Sequence, residues 1–147
     1  MQPFLVRKAI PNDIPFIYAT WLNAIKNDSA LGLSTTKTLF YESYRLVLDY
    51  ILSHNATVLV ACKTDEPNVI YGFLVSEDNK LHFCFVKEHF RKLGIARSLF
   101  EHSFGKGSPT IYCTHKTKFV EELLRDRSWL VYNPYLLYQI NLGENNE

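Results

Sequence analysis

Apolar and polar positions follow two different rhythms along this chain, and the change between them divides it into segments. Ile14, Ile17, Tyr18, Trp21, Leu22 and Ile25 recur at three- and four-residue intervals, the period of a helix with one buried face. Asn12 suits the cap of that helix, Asp13 its positive end, and Pro15 its first turn. Residues 39–53 repeat the rhythm, with Tyr44, Val47, Leu48 and Ile51 on one stripe. Residues 29–37, small and polar around Gly32, predict a loop between the two helices.

Near residue 57 the period changes. Residues 57–63 and 69–76 are rich in β-formers, with a turn predicted at Asp65-Glu66-Pro67-Asn68. Glu77-Asp78-Asn79 turns the chain into residues 81–86, which are almost all apolar, as in a strand buried on both faces. A short strand at 4–9 opens the chain. A helix over 94–104 is closed by Gly105 and Gly107. A strand at 110–114 and a helix at 117–126 follow. Strands at 129–132 and 135–142, broken at Asn133-Pro134, end the pattern, and 143–147 is expected to fray. The order β-α-α-β-β-β-α-β-α-β-β predicts an α/β fold. Hairpins give antiparallel pairs, the β-α-β unit gives a parallel crossover, and helices cover both faces of a mixed sheet. No repeat or linker interrupts residues 1–142, which read as one domain.

Composition narrows the function classes. A formal net charge of +1 gives no global electrostatic case for nucleic acid. Residues 1–9 hold no apolar h-region, and no run approaches the roughly 20 apolar residues of a membrane span. A cytoplasmic protein is the expectation. Cys62, Cys84 and Cys113 each sit in an apolar, strand-like run without metal-ligand spacing. Buried reduced thiols and no metal site are therefore expected.

The candidate chemistry lies where the buried strand at 81–86 meets a basic turn and a helix opening at Gly94. A helix N-terminus carries unsatisfied N–H groups and about half a positive charge, a setting that suits phosphate. Gly94 lets an anion approach the backbone, and Ala96 is small enough not to obstruct it. Arg91, Lys92 and Arg97 add positive charge around the same point.

Residues 86–99 resemble the acetyl-CoA-binding signature of the GNAT superfamily, Arg/Gln-x-x-Gly-x-Gly/Ala after a strand that ends in Val. Here it reads Arg91-Lys92-Leu93-Gly94-Ile95-Ala96 after Val86. Val6-Arg7-Lys8-Ala9 with Asp13-Ile14-Pro15 is similar to the family's opening, and Gly72-Phe73 to a pair common in its third strand. The short, aromatic-rich chain also resembles small phage-encoded members. The resemblance implies acetyl-CoA as acyl donor and direct transfer to an amine of a small molecule or protein. Backbone N–H groups of Lys92, Leu93, Gly94, Ile95, Ala96 and Arg97 would hold the pyrophosphate, with Arg91 beside them. Cys84, Phe85 and Val86 would pair with the pantetheine arm, where the fourth and fifth strands splay apart. Thr117 falls where the family has a cofactor-side Asn. Homodimerisation through the last strands is common among such proteins.

The chain departs from the family where a Tyr usually protonates the leaving thiolate, because Leu124 stands there. Five residues offer proton chemistry in its place. His82 lies on the fourth strand, where plain alternation puts it with Cys84 and Val86 and opposite Phe83 and Phe85. His115 follows the fifth strand. Tyr132, with Tyr112 and Tyr135, offers a hydroxyl. Each has a purely structural alternative: a satisfied core His, a loop His, a buried Tyr. Glu77 and Glu88 are expected to be solvated turn residues. An acceptor pocket would draw on Trp21, Asn23, residues 34–38, Phe40, Tyr41, Tyr132 and Tyr135. Two other functions fit the same residues: a CoA-binding or accessory protein without turnover, and an enzyme that modifies nucleic-acid bases.

Overall fold

Six strands form one mixed sheet, ordered in space as in sequence, in a computed structural model that describes residues 3–107 and 110–137. β1 (Phe4–Lys8), β2 (Thr57–Lys63), β3 (Glu66–Glu77) and β4 (Lys80–Val86) are successive antiparallel neighbours. β5 (Ile111–Cys113) runs parallel to β4, and β6 (Leu130–Tyr132) parallel to β5. α1 (Ile14–Asp28), α2 (Ala30–Ser34) and α3 (Lys37–Ser53) connect β1 to β2. α4 (Ile95–Phe104) and α5 (Lys118–Arg125) make the two parallel crossovers. None of the described helices is long and apolar enough to cross a membrane.

Strand alternation divides the core into two layers. Val60, Phe73 and Phe83 point to one side, against Ile17 and Trp21 of α1 and Leu48 of α3. Their chain neighbours Ala61, Leu74 and Cys84 point to the other, against Ile95 and Leu99 of α4 and Val120 of α5. The central strands are thus buried on both faces, as their continuous apolar runs predict.

Several local expectations give way to specific contacts. Residues 30–34 form α2 rather than loop, because Ser29 Oγ accepts from Gly32 N–H at 3.1 Å and caps the turn. A Cβ at Gly32 would lie 2.2 Å from the Ile25 carbonyl of α1, so only glycine permits this packing. Asn12 does not cap α1; it sits in a 3-10 turn, Pro11–Asp13. Asp13 instead accepts two hydrogen bonds from Arg7, at 2.7 and 3.0 Å, and one from Ile10 N–H at 2.8 Å. Burial alone would raise the Asp13 carboxyl, but these donors outweigh it and hold it below its usual range. β3 already begins at Glu66, which confines the preceding turn to Thr64-Asp65. The strand expected from Tyr135 does not start there. Leu136 and Leu137 are helical, their N–H groups bonded back to the Asn133 and Pro134 carbonyls, and 138–142 lie outside the described residues, as does the tail 143–147.

The two ends of the β3–β4 pair shape the site. The register slips between Val75 and Ser76, so that Val75 faces Phe83 while Ser76 faces Leu81. His82 is the extra residue of this bulge, and the slip breaks the alternation of β4. Leu81 therefore packs in the α4 layer although Phe83, two residues on, packs in the α1 layer. At the far end, Gly72 pairs with Val86 so closely that a Cβ would lie 2.5 Å from the Phe85 carbonyl. Gly72→Ala must push β4 sideways and should cost about 2 kcal/mol by overpacking. A lowered midpoint in urea unfolding is the expected result; an unchanged midpoint would contradict this packing.

Candidate active site

β4 and β5 touch only where β4 begins and β5 ends. Lys80 pairs with Tyr112 and Leu81 with Cys113, and Thr114 N–H donates to the Leu81 carbonyl at 3.0 Å. Past that point no strand runs beside β4 on this side among the described residues. Lys87 N–H donates across to Tyr71 of β3 at 2.8 Å. By alternation, Phe85 also directs its backbone groups toward β3, while those of Cys84 and Val86 face the gap. Arg91 Nε donates to the Val86 carbonyl at 2.8 Å, which closes one of these positions and fixes the start of the basic turn.

The turn after β4 leaves its backbone open. Lys92 has φ +65 and Gly94 φ +85. A left-handed conformation is strained for a lysine, and such strain concentrates at ligand-binding loops. Nothing lies within 4 Å of a Cβ built on Gly94, so the backbone there is open. Gly94 caps α4 through its carbonyl, which accepts from Ser98 N–H at 3.0 Å, and no side chain caps the helix. The first-turn N–H groups of Ile95, Ala96 and Arg97 have no intrahelical acceptor. A hollow of about 180 Å³ lies over this turn, bordered by Val86, Arg91, Lys92, Gly94 and Phe119. Arg91 stacks its guanidinium 5.9 Å from the Phe119 ring of α5.

A second cavity, of about 650 Å³, opens at the end of β5 between α1, α3 and the segment leading into α5. Tyr44, Tyr50 and Tyr132 give it an aromatic wall, and Thr114, His115 and Lys116 form one edge. Lys116 is the only charged side chain lining it among the described residues. Its ammonium lies 5.2 Å over the Tyr132 ring and 3.8 Å from Glu121.

Behind that edge runs a buried polar chain. His115 Nδ1 is 2.9 Å from Thr114 Oγ1, which is 2.9 Å from His82 Nδ1. His82 Nε2 is 3.4 Å from Glu77 Oε1. His82 is 1% exposed and His115 5%. Burial pushes His82 down from the usual histidine value, against the opposing pull of the Glu77 carboxylate. Burial and then the neighbouring His82 push His115 down to about 3. Both rings are neutral near pH 7. The Tyr132 hydroxyl is held above its usual value by burial and by Tyr135, so it keeps its proton. Burial pushes the thiols of Cys84 and Cys113 up to about 12, which keeps them inert, as their apolar surroundings predict.

These placements sort the residues singled out from sequence. Arg91, Lys92, Gly94, Ile95, Ala96 and Arg97 all border the smaller hollow, and Leu93 lies within the same turn. The Ile95 side chain is buried in the core, leaving its N–H as the part available to an anion. Cys84 and Val86 face the gap; Phe85 turns away, toward Phe16 and Phe73. Thr117 is a buried residue at the start of α5 and borders neither the hollow nor the large cavity. His115 and Tyr132 share the large cavity, with His82 behind His115. His82 does not share the face of Cys84 and Val86, because the bulge redirects it toward Thr114 and Glu77. Leu124 packs against the α4-side core. Of the acceptor-pocket residues expected, Tyr132 lines the cavity, whereas Trp21 and Phe40 are core. Glu77 is not a solvated turn residue: its side chain is 15% exposed and it contacts His82 and Lys80. Sequence reasoning missed Glu77, Thr114, Tyr44 and Tyr50; only the hairpin register and the bulge bring the first two to His82.

No family model matches this chain, and no curated protein matches it. Solved structures do. A GNAT-family acetyltransferase from Staphylococcus aureus superposes with a TM-score of 0.54 at 15% identity, covering 83% of this chain and 79% of that one. A GCN5-related N-acetyltransferase from Rhodopseudomonas palustris gives 0.54 at 13% identity, covering 85% and 80%. YjaB from Escherichia coli gives 0.52 at 18% identity, covering 75% and 69%. The chain has the GNAT fold, as its signature segment and element order predict.

The two buried histidines make stability depend on pH. Their folded-state values lie below the ordinary 6.5, so at lower pH the unfolded chain binds protons that the native state refuses. Stability is complete above about pH 6.5 and falls as the pH drops toward 3. The slope is about 1.4 kcal/mol per pH unit for each histidine kept neutral. Urea unfolding between pH 7 and 5 should show this decline, and His115→Gln should reduce the slope by about one proton. Equal slopes for wild type and variant would contradict the assignment.

Proposed function

We propose that this protein is an acyl-CoA-dependent N-acyltransferase that moves an acetyl group directly from acetyl-CoA to an amine. The reading is carried by the conjunction of an open β4 edge and an anion cradle at its end. An extended pantetheine arm carries amide groups that match the strand edge at Cys84 and the Val86 N–H, as an added strand would. A pyrophosphate matches the first-turn N–H groups of α4 and the charges of Lys92 and Arg97. The acceptor amine would enter from the cavity at the other end of the gap, beside His115. That cavity lacks a carboxylate among its described lining residues, so a polycationic acceptor finds no counter-charge there. Its aromatic wall and Lys116 suit a compact apolar or aromatic amine, including one that bears an acidic group. Direct attack needs a neutral amine, and the departing thiolate needs a proton. Leu124 supplies none; Tyr132 offers one of the hydroxyls on the cavity wall, with Tyr44 and Tyr50.

A second reading, a CoA-binding protein without turnover, is favoured by Leu124. Two measurements separate them. Calorimetry should show acetyl-CoA binding by the wild type. Gly94→Trp, which fills the open backbone, should abolish it. Arg97→Glu should weaken it about tenfold or more, the loss of one charge-assisted contact. A Glu in the first turn of α4 is favourable to the helix, so this variant should melt no lower than wild type. No heat with wild-type protein contradicts both readings. Binding without CoA release across a panel of aliphatic and aromatic amines favours the second.

A further inference from the structure

The polar chain behind the large cavity has a direction. Thr114 has one hydroxyl proton and three neighbours: His82 Nδ1 and His115 Nδ1, each at 2.9 Å, and the Leu81 carbonyl at 3.5 Å. If Thr114 donated to His115, His82 Nδ1 would have to carry a proton. A neutral His82 would then turn a bare Nε2 lone pair toward the Glu77 carboxylate, which repels it. The same clash follows if Thr114 donates to Leu81. One arrangement pairs every contact. His82 Nε2–H donates to Glu77, Thr114 donates to His82 Nδ1, and His115 Nδ1–H donates to Thr114. His115 Nε2 is then an unshared lone pair, and it is a buried atom with no hydrogen-bond partner. Trp21, whose ring packs against that of His115 at 5.7 Å, likewise leaves its buried Nε1–H without a partner. One unmet acceptor and one unmet donor thus occur in touching side chains, and His115 is the one of the two that lines the cavity. A neutral amine can both give and receive a hydrogen bond.

We propose that His115 is the catalytic residue that deprotonates the acceptor amine, with Thr114, His82 and Glu77 as positioning residues that hold its Nε2 lone pair toward the substrate. This rests on the acyl-transfer reading above and specifies its proton acceptor. In the step, an N–H bond of the bound ammonium breaks and His115 Nε2–H forms. His115 Nδ1–H passes its proton to Thr114, Thr114 passes its own to His82 Nδ1, and His82 Nε2–H passes its proton to Glu77. The net change is one proton moved from the ammonium to the Glu77 carboxylate, and each imidazole ends in its other neutral tautomer. No imidazolium forms inside the protein, in keeping with the strong burial of both rings. The amine is left with the lone pair that attacks the acyl carbon. Glu77, partly exposed beside Lys80, can return the proton to water.

The test has a readout that needs no activity. Long-range proton–nitrogen correlation spectra of histidine-labelled protein should show His115 protonated at Nδ1 and His82 at Nε2. The reverse pair of tautomers overturns the proposal. Glu77→Gln, which can donate as well as accept, should mix the tautomers at His115, and Glu77→Asp should restore the order. In an acetyl-transfer assay, His115→Gln should lower kcat at least about 100-fold with acetyl-CoA affinity unchanged. Glu77→Gln should lower kcat about tenfold, chiefly without changing KM. The expected tautomers with undiminished turnover in His115→Gln also overturn the base assignment. Absent acetyl-CoA binding would instead refute the acyl-transfer reading, whatever the tautomers.

Discussion

Two residue pairs, Lys80 with Tyr112 and Leu81 with Cys113, are all that join β4 to β5, and the site follows from that short contact. A central strand normally spends its backbone groups on two neighbours. Here β4 is fully engaged with β3 on one side and leaves Cys84 and Val86 unpaired by any described strand on the other. Backbone groups in such a place need water or a polar guest, since leaving one unmet costs about 1–3 kcal/mol. The fold therefore leaves an open strand edge at this point. α4 then begins at the end of this edge with its N–H groups exposed, because Gly94 and the left-handed Lys92 turn the chain without covering them.

The bulge at His82 makes the opposite end of the edge polar. Without the register slip between Val75 and Ser76, His82 would follow Cys84 and Val86 into the α4 layer. The extra residue instead places it beside Thr114, at the point where β5 ends and the strands part. Trp21 stacks on Phe83 at 5.4 Å, and Trp21 and Tyr44 meet the His115 ring edge to face, so aromatic packing fixes the imidazole from two helices. Apolar packing and hydrogen bonding thus act on the same ring. The first sets its position and the second sets which nitrogen carries the proton.

Much of the fold was legible because its period is strong. The apolar runs of β2 to β4 and the stripes of α1 and α3 each admit one structure. The turn into α4 was legible as well, since a basic stretch before Gly94 and Ala96 is a local signal. What remained hidden depends on contacts between distant residues. Ser29 and Gly32 convert a loop into α2 through one cap and one close approach. Asp13, at the N-cap of α1, is also held by Arg7 of β1. The bulge has no signature in residues 80–86, and it reverses the face assigned to His82. Glu77 reads as a turn residue until the hairpin brings its carboxylate to that imidazole. Trp21 and Phe40 are aromatic enough for a pocket and apolar enough for a core, and packing puts both in the core.

The site stands or falls on the open edge of β4 being a ligand-binding strand. Amide hydrogen exchange, resolved by residue in the presence and absence of saturating acetyl-CoA, tests that role most directly. Cys84 and Val86 amides should slow about tenfold or more on ligand binding, while Phe83 and Phe85, already paired with β3, should change little. Unchanged exchange at Cys84 and Val86, with protection appearing elsewhere, would contradict it.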